Sequence, residues 1–253
     1  MTDRLIDISE NGARVALDTG RLLITSSDDR KISVALDDLG VLVLGHPSIS
    51  ISQPALSAIA ESGGSVIVCS TNRMPCGMLL PLAANSTQQE RIAAQVNAPL
   101  TTRKRIWQQI IRAKVINQGE VLKTLHGSDH GLAAMAKRVN SGDTANVEAR
   151  AARLYWHALF PDNEFLRKTE GPPPNTHLNY GYAILRSMIG RAICAAGLHP
   201  SIGIHHHNRY NSFPLADDLM EPLRPLVDWT VVQICAFHGF DAPLEKETKH
   251  DLA

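Results

Sequence analysis

The residues best suited to chemistry lie between Gly203 and Pro222. This stretch holds His205, His206, His207, Asn208 and Asn211, then Asp217, Asp218 and Glu221. Imidazole and carboxylate together are a ligand set for divalent metals such as Mn²⁺ and Mg²⁺. The run from His206 to Ser212 is polar and turn-prone, whereas Leu215, Leu219 and Leu223 recur every four residues and predict a helix. On that helix Asp218 and Glu221 are three apart and share a face. A loop histidine facing a helical carboxylate pair can close on one metal ion. Acids at a helix start also complement the helix dipole, which accounts for Asp217 and Asp218 better than for Glu221, a turn further in.

A further ligand must come from elsewhere, and the helix predicted from Asn146 to Phe160 offers Glu148. Its apolar stripe reads Val147, Ala151, Leu154 and Ala158, and Glu148 lies along the edge shared with Ala152, Tyr155 and Leu159. A carboxylate there is partly buried and needs a cation, because burying an unpaired charge is costly. A metal is one answer; Arg150, Arg153 or the helix dipole is another. Ser141-Gly142-Asp143-Thr144 forms the loop and cap ahead of this helix.

The elements that must position these residues fall into two regimes. Residues 1–50 read as short strands: Leu5–Ile8, Val15–Leu17, Leu22–Thr25, Lys31–Val34 and Val41–Leu44. Asn11-Gly12 and Thr19-Gly20 punctuate them, and Asn-Gly is the stronger hairpin signal. Ser52 caps a short helix with Pro54 in its first turn, Gly63-Gly64 ends it, and Ser65–Cys69 is one more strand. This predicts a small, mostly antiparallel β domain over 1–80. Helical patterns dominate 81–253: Gln88–Val96, then Thr101–Leu125 with Ile106, Ile110, Ala113 and Ile116–Gly119 as its apolar face, then Gly131–Arg138, His177–Gly197 and Val227–Phe237. Between 162 and 175 the Gly171-Pro172-Pro173-Pro174 run excludes a helix or central strand. The class is therefore α+β, a β-rich start followed by a larger all-α domain.

Composition sets bounds on function. The 253 residues are 44% hydrophobic and 20% charged, enough for a sizeable core. The four cysteines form no CxxC pair, so neither a zinc ribbon nor a disulfide framework is indicated. No run of about 18 apolar residues and no signal peptide is visible, so the chain reads as soluble and cytoplasmic with no membrane partner. The net charge of zero conceals an uneven distribution: −4 over 1–65, +6 over 101–140 and −5 over 211–253. A basic stretch beside an acidic cluster suits metal ions held next to bound phosphates. Arg103, Lys104 and Arg105 open the long helix, where cations oppose the dipole and an anionic partner would relieve the conflict.

Three separated segments, in order, carry a family resemblance. They are Asn146–Phe160, Leu178-Asn179-Tyr180-Gly181-Tyr182-Ala183-Ile184-Leu185-Arg186, and Gly203-Ile204-His205-His206 through Asp217-Asp218-Leu219-Met220-Glu221-Pro222-Leu223-Arg224-Pro225-Leu226-Val227-Asp228. Together they resemble the CRISPR-associated spacer-acquisition integrase, the universal first CRISPR-associated protein, in its type II variety. The resemblance spans nearly the whole chain. It implies an N-terminal β domain that dimerises, a helical catalytic domain, and a homodimer joined by a small second adaptation protein. It also implies double-stranded DNA as substrate and the type II effector nuclease as a further partner. Carried over by motif, the metal ligands are Glu148, His205 and Glu221, with Asp218 close by. The third ligand is Glu where many relatives have Asp, and the tail after Phe240 is short and polar.

The expected reaction is metal-dependent phosphoryl transfer on DNA, with Mg²⁺ or Mn²⁺ activating a 3′-hydroxyl or water. Asp218 is expected to hold a second ion or to orient His205. Arg103, Lys104, Arg105, Arg150, Arg186 and Arg209 are the candidate phosphate contacts. A non-catalytic DNA-binding scaffold is the alternative. A zinc hydrolase using His205, His206 and His207 is a weaker rival, since the paired-histidine helix spacing is absent.

Overall fold

The computed structural model of the chain describes residues 4–82, 85–161, 165–206 and 208–252, the side chains of Lys246 and His250 excepted. His207 and 162–164 of the proline-rich loop lie outside the described residues. The chain divides into two compact units, Met1–Ile92 with Arg186–His199, and Ala93–Leu185 with Pro200–Leu252. The first takes in more of the chain than the strands alone, because residues 81–92 and part of a later helix belong to it.

In the first unit eight strands form two four-stranded sheets: β1 (Arg4–Ile8), β2 (Arg14–Asp18), β3 (Arg21–Thr25), β4 (Lys31–Ala35), β5 (Leu39–Leu44), β6 (Ser50–Ile51), β7 (Ser65–Cys69) and β8 (Pro75–Leu79). One sheet has the order β4-β3-β2-β6, with β2, β3 and β4 antiparallel. The other has the order β1-β5-β7-β8, and here β1, β5 and β7 run parallel. The mostly antiparallel expectation thus holds for β2–β3, β3–β4 and β7–β8, whereas β1–β5, β5–β7 and β2–β6 pair in parallel. For β5 and β7 the reason is connectivity: α1 (Gln53–Glu61) lies between them in the chain and returns it to the same end of the sheet, as a parallel pair requires. All six residues of β5 are buried, as befits a central parallel strand.

The tight hairpin turn is Thr19-Gly20, at φ 47° and 75°, and not Asn11-Gly12, which connects strands of different sheets. Two successive positive φ values match the twist of the flanking strands. The helix α1 begins as expected: Ser52 Oγ accepts from Ala55 N, with Pro54 in the first turn. The strand β8 lies inside the predicted 1–80 domain but is an addition to the strands predicted there. Proline is tolerated there because β8 is an edge strand and Pro75 is its first residue.

The helices are α2 (Gln88–Val96), α3 (Leu100–His126), α4 (Leu132–Lys137), α5 (Val147–Leu159), α6 (Asn175–Ala195), α7 (Pro214–Met220), α8 (Arg224–His238) and α9 (Lys246–Asp251). The core of the second unit forms around α3, whose Trp107, Ile111, Val115 and Leu122 are almost fully buried. The buried face is rotated from the predicted one, leaving Ile106 and Ile116 exposed. Trp107 sets this phase, since it has the most apolar area on the helix to bury. A similar shift occurs on α5, where Tyr155 and Leu159 are buried instead of Leu154 and Ala158.

Gly181 of α6 sits against α8. A Cβ there would lie 2.5 Å from Val227 Cγ1. Gly181→Ala should therefore destabilise the protein by about 1–3 kcal/mol through overpacking. Urea unfolding checks this: the midpoint should fall with the slope unchanged, and Val227→Ala in the same chain should restore part of the loss.

Candidate active site

Four pieces of the second unit converge: α3, the start of α5, the loop 203–206 and the α7–α8 junction. Glu148 is the second residue of α5. The helix is capped from outside its own first residue, because Asp143 accepts from Val147 N at 2.9 Å and Glu148 N at 3.0 Å. This fixes Glu148 at the helix N-terminus with its side chain 28% exposed. Glu221 follows the end of α7, where Pro222 and Pro225 interrupt the regular helix before α8 is established. Its side chain is 6% exposed.

Both carboxylates meet one cation, Lys114 of α3. Lys114 Nζ lies 2.6 Å from Glu148 Oε1 and 2.5 Å from Glu221 Oε2. Arg224 Nε stands 2.9 Å from the other Glu221 oxygen. Burial pulls the Lys114 ammonium down, but Glu221 and Glu148 outweigh it and hold the group above its ordinary value. The cation that Glu148 needs is thus neither Arg150 nor Arg153, but a lysine a long way back in the chain.

Behind this pair lies a second polar cluster. Asp228 is buried and accepts from Tyr155 Oη at 3.0 Å and from Tyr182 Oη. The Arg224 guanidinium lies over the Tyr182 ring, 4.7 Å from its centroid. The Asp228 hydroxyl partners belong to α5 and α6, so one carboxylate on α8 ties three helices together. Burial pushes the Asp228 carboxyl up to about 7, against the hydrogen bonds from both tyrosines, which lower it. Burial also drives both tyrosine hydroxyls well above their usual range.

Asp218 has a defined structural task. Its Oδ2 accepts from Ile204 N at 2.6 Å and His205 N at 2.9 Å, and its Oδ1 accepts from His206 N at 3.2 Å. His206 Nδ1 stands 2.6 Å from Oδ1 as well. A carboxylate offers about four lone-pair positions, so these four contacts use them all. Its imidazole partner is therefore His206, not the expected His205. The hydrogen bond to Asp218 raises His206 above its ordinary value, against burial.

The His205 ring stacks on Trp107, centroids 4.1 Å apart and planes 5° apart. Trp107 and Lys114 both project from α3, so this one helix touches both the histidine loop and the carboxylate pair. Among the described residues, no three His, Cys, Asp or Glu side chains gather closely enough to hold a metal ion. Glu148 and Glu221 are brought together on one cation; His205 stands on Trp107.

The six basic candidates are dispersed. Lys104 and Arg105 are exposed on the first turns of α3, and Arg103 is half-buried there with an unbonded Nε. The start of α3 carries no acidic residue and no side-chain cap, so the conflict with the helix dipole stands. Arg150 is exposed on α5, and Arg209 is exposed with its guanidinium 4.6 Å from the Tyr210 ring. Arg186 belongs to the other compact unit.

Residues 6–242 match the family described as "CRISPR associated protein Cas1". A relative from Neisseria meningitidis serogroup C (strain 8013), named CRISPR-associated endonuclease Cas1, is 37% identical over 246 residues, covering 96% of this chain and 80% of its own. A second, CRISPR-associated endonuclease Cas1 2 of Saccharolobus solfataricus, is 30% identical over 99% of this chain and 82% of its own. The chain belongs to the Cas1 family. Its fold is also that of a casposase bound to its integration product, with a TM-score of 0.79 at 20% identity over 98% of this chain and 80% of that one. A Cas6-RT-Cas1–Cas2 complex aligns with a TM-score of 0.69 at 20% identity, over 92% of this chain and 28% of that one. Among the described residues no helix is long and apolar enough to cross a membrane.

Two outcomes follow from the site. Asp218→Asn removes a charged acceptor of three backbone N–H groups and should cost about 2–3 kcal/mol in urea unfolding; a change under about 0.5 kcal/mol would mean that the loop holds itself. Asp228 ionises less readily in the fold than in an unfolded chain. Stability carried by its neutral form is therefore full below pH about 4 and is lost as pH rises through about 7. Unfolding free energies of the Asp228→Asn variant between pH 4 and 8 should lack this decline, and an unaltered pH profile would show that Asp228 is not its source.

Proposed function

We propose that this chain is a metal-dependent DNA endonuclease and integrase of CRISPR adaptation, inserting short duplexes at a repeat by attack of a 3′-hydroxyl on a phosphodiester. One observation carries the reading. Glu148 and Glu221, distant in sequence, turn toward a single cation position. Membership of a family whose relatives are named endonucleases supports it.

The chemistry of the two carboxylates suits a divalent metal. Two carboxylates already surround one positive charge, and carboxylate with imidazole suits Mn²⁺ or Mg²⁺. Glu148, His205 and Glu221 would hold the ion. When bound, it would lower the pKa of the attacking hydroxyl or water and offset charge on the phosphate. Trp107 orients the His205 imidazole by stacking, and Asp218 holds that loop through its backbone. Arg224 keeps Glu221 turned inward. Asp218 serves this site as a positioning residue, since its lone pairs are already taken.

Phosphates of double-stranded DNA would be met by Arg103, Lys104, Arg105, Arg150 and Arg209, with Arg186 on the other unit. Such contacts position DNA without reading its bases. Assembly as a homodimer through the β-rich unit, with a small second adaptation protein and the type II effector nuclease, completes the proposal. The Cas1–Cas2 assembly among the structural relatives supports the second partner.

The test is strand transfer of a short 3′-ended duplex into supercoiled plasmid with Mn²⁺ and the second adaptation protein. Glu148→Gln, Glu221→Gln and His205→Ala should each lose about 100-fold or more in joining while still retarding DNA in gels. Joining at the normal rate by Glu148→Gln would instead favour the non-catalytic scaffold. For the basic residues, Arg150→Ala should weaken duplex binding at every sequence and reduce the slope of log affinity against log salt by about 1. An unchanged slope removes Arg150 from the DNA interface.

A further inference from the structure

Lys114 is the only basic residue that touches both Glu148 and Glu221 among the described residues, and its side chain is only 12% exposed. Arg224 takes the remaining oxygen of Glu221. Two basic and two acidic side chains therefore balance one another. The base of Lys114 cannot shift easily, because its neighbours Ile111 and Val115 are fully buried in the core. The four-carbon stem can withdraw its ammonium, however, and an ammonium is a compact, mobile point charge.

We propose that Lys114 is a tethered counter-cation: it holds Glu148 and Glu221 together in the metal-free protein and must yield its place before a divalent cation binds, so that it sets the metal affinity of the site. The inference rests on the reading that these two carboxylates hold the metal. Its physical basis is that the ammonium, seated between the two carboxylates, occupies the position a divalent ion would take, and like charges that close repel strongly. Binding a divalent ion therefore costs the loss of both Lys114 contacts, and the free site is weaker for metal than its carboxylates alone would make it.

The sign of one substitution separates this role from a structural one. If Lys114 competes, removing its charge leaves the pair under-neutralised and strengthens metal binding. If Lys114 merely props the carboxylates in position, removing it lets them part and weakens metal binding.

The experiment is a Mn²⁺ titration of the full chain without DNA, followed by the electron paramagnetic resonance signal of free Mn²⁺. It compares wild type, Glu148→Gln, Lys114→Met, Lys114→Arg and the double variant Lys114→Met/Glu148→Gln. Lys114→Met should bind Mn²⁺ about 10-fold or more tightly than wild type, Lys114→Arg should resemble wild type, and the double variant should lose the gain. Lys114→Met binding no more tightly than wild type, while that binding still needs Glu148, would overturn the proposal and leave the metal-site reading intact. Binding that ignores Glu148 in every variant would instead overturn the metal-site reading, and the proposal with it.

A second measurement stands apart from the folding of the variant. In ¹³C-lysine-labelled wild type, the Lys114 ε-carbon resonance, identified by its absence from Lys114→Arg, should shift as Mg²⁺ saturates the site. A resonance that stays in place through Glu148-dependent saturation would show that Lys114 never moves.

Discussion

The arrangement of the second unit depends on one ion-pair bridge, the Lys114 ammonium between Glu148 and Glu221. Each carboxylate alone would be costly where it stands, at the edge of a helix core and at a helix junction. Brought together without a cation they would repel. A buried or half-buried charge persists only when paired, and a lysine from the central helix supplies the pairing. The bridge thereby joins α3, α5 and the α7–α8 junction at one point.

The supports around the bridge each have a separate cause. Asp143 caps α5 and so sets the position of Glu148. Asp228 gathers hydroxyls from α5 and α6 and sits one turn beyond Arg224, the second partner of Glu221. Asp218 uses its whole carboxylate on the backbone and side chain of the histidine loop, and Trp107 provides the surface on which His205 lies. Polar groups buried in this way rigidify a site because leaving any of them unpaired is expensive. Asp218 and Asp228, the most deeply buried acids in this region, thus have structural partners, whereas Glu148 and Glu221 are less deeply buried and meet on Lys114.

Some of this was readable in the chain itself. The β-rich start, the helical remainder, the helix pattern around Glu148 and the acidic run at 217–221 all follow from local periodicity and turn residues, which depend on near neighbours. Lys114 gave no such sign. It is one base among several on a long helix, whose phase is ambiguous in sequence because the exposed Ile106 and Ile116 are as apolar as the buried Ile110 and Ile111. Asp228 left a faint trace, a carboxylate set between Val227 and Trp229 in an apolar run. The edge strand β8 was hidden by Pro75 and Gly77, which punctuate loops more often than strands.

The amino-acid order by itself determined the two regimes of secondary structure, the residue types gathered at 203–222, and the family to which the chain belongs, since all of these are carried by local pattern and motif. Only the tertiary structure decided that β1, β5 and β7 run parallel, as do β2 and β6, that Asp218 binds the histidine loop, and that Lys114 stands between Glu148 and Glu221. The reason is that these are pairings between residues far apart in sequence. Which partner a buried charge or strand edge finds depends on packing, and packing has no period along the chain.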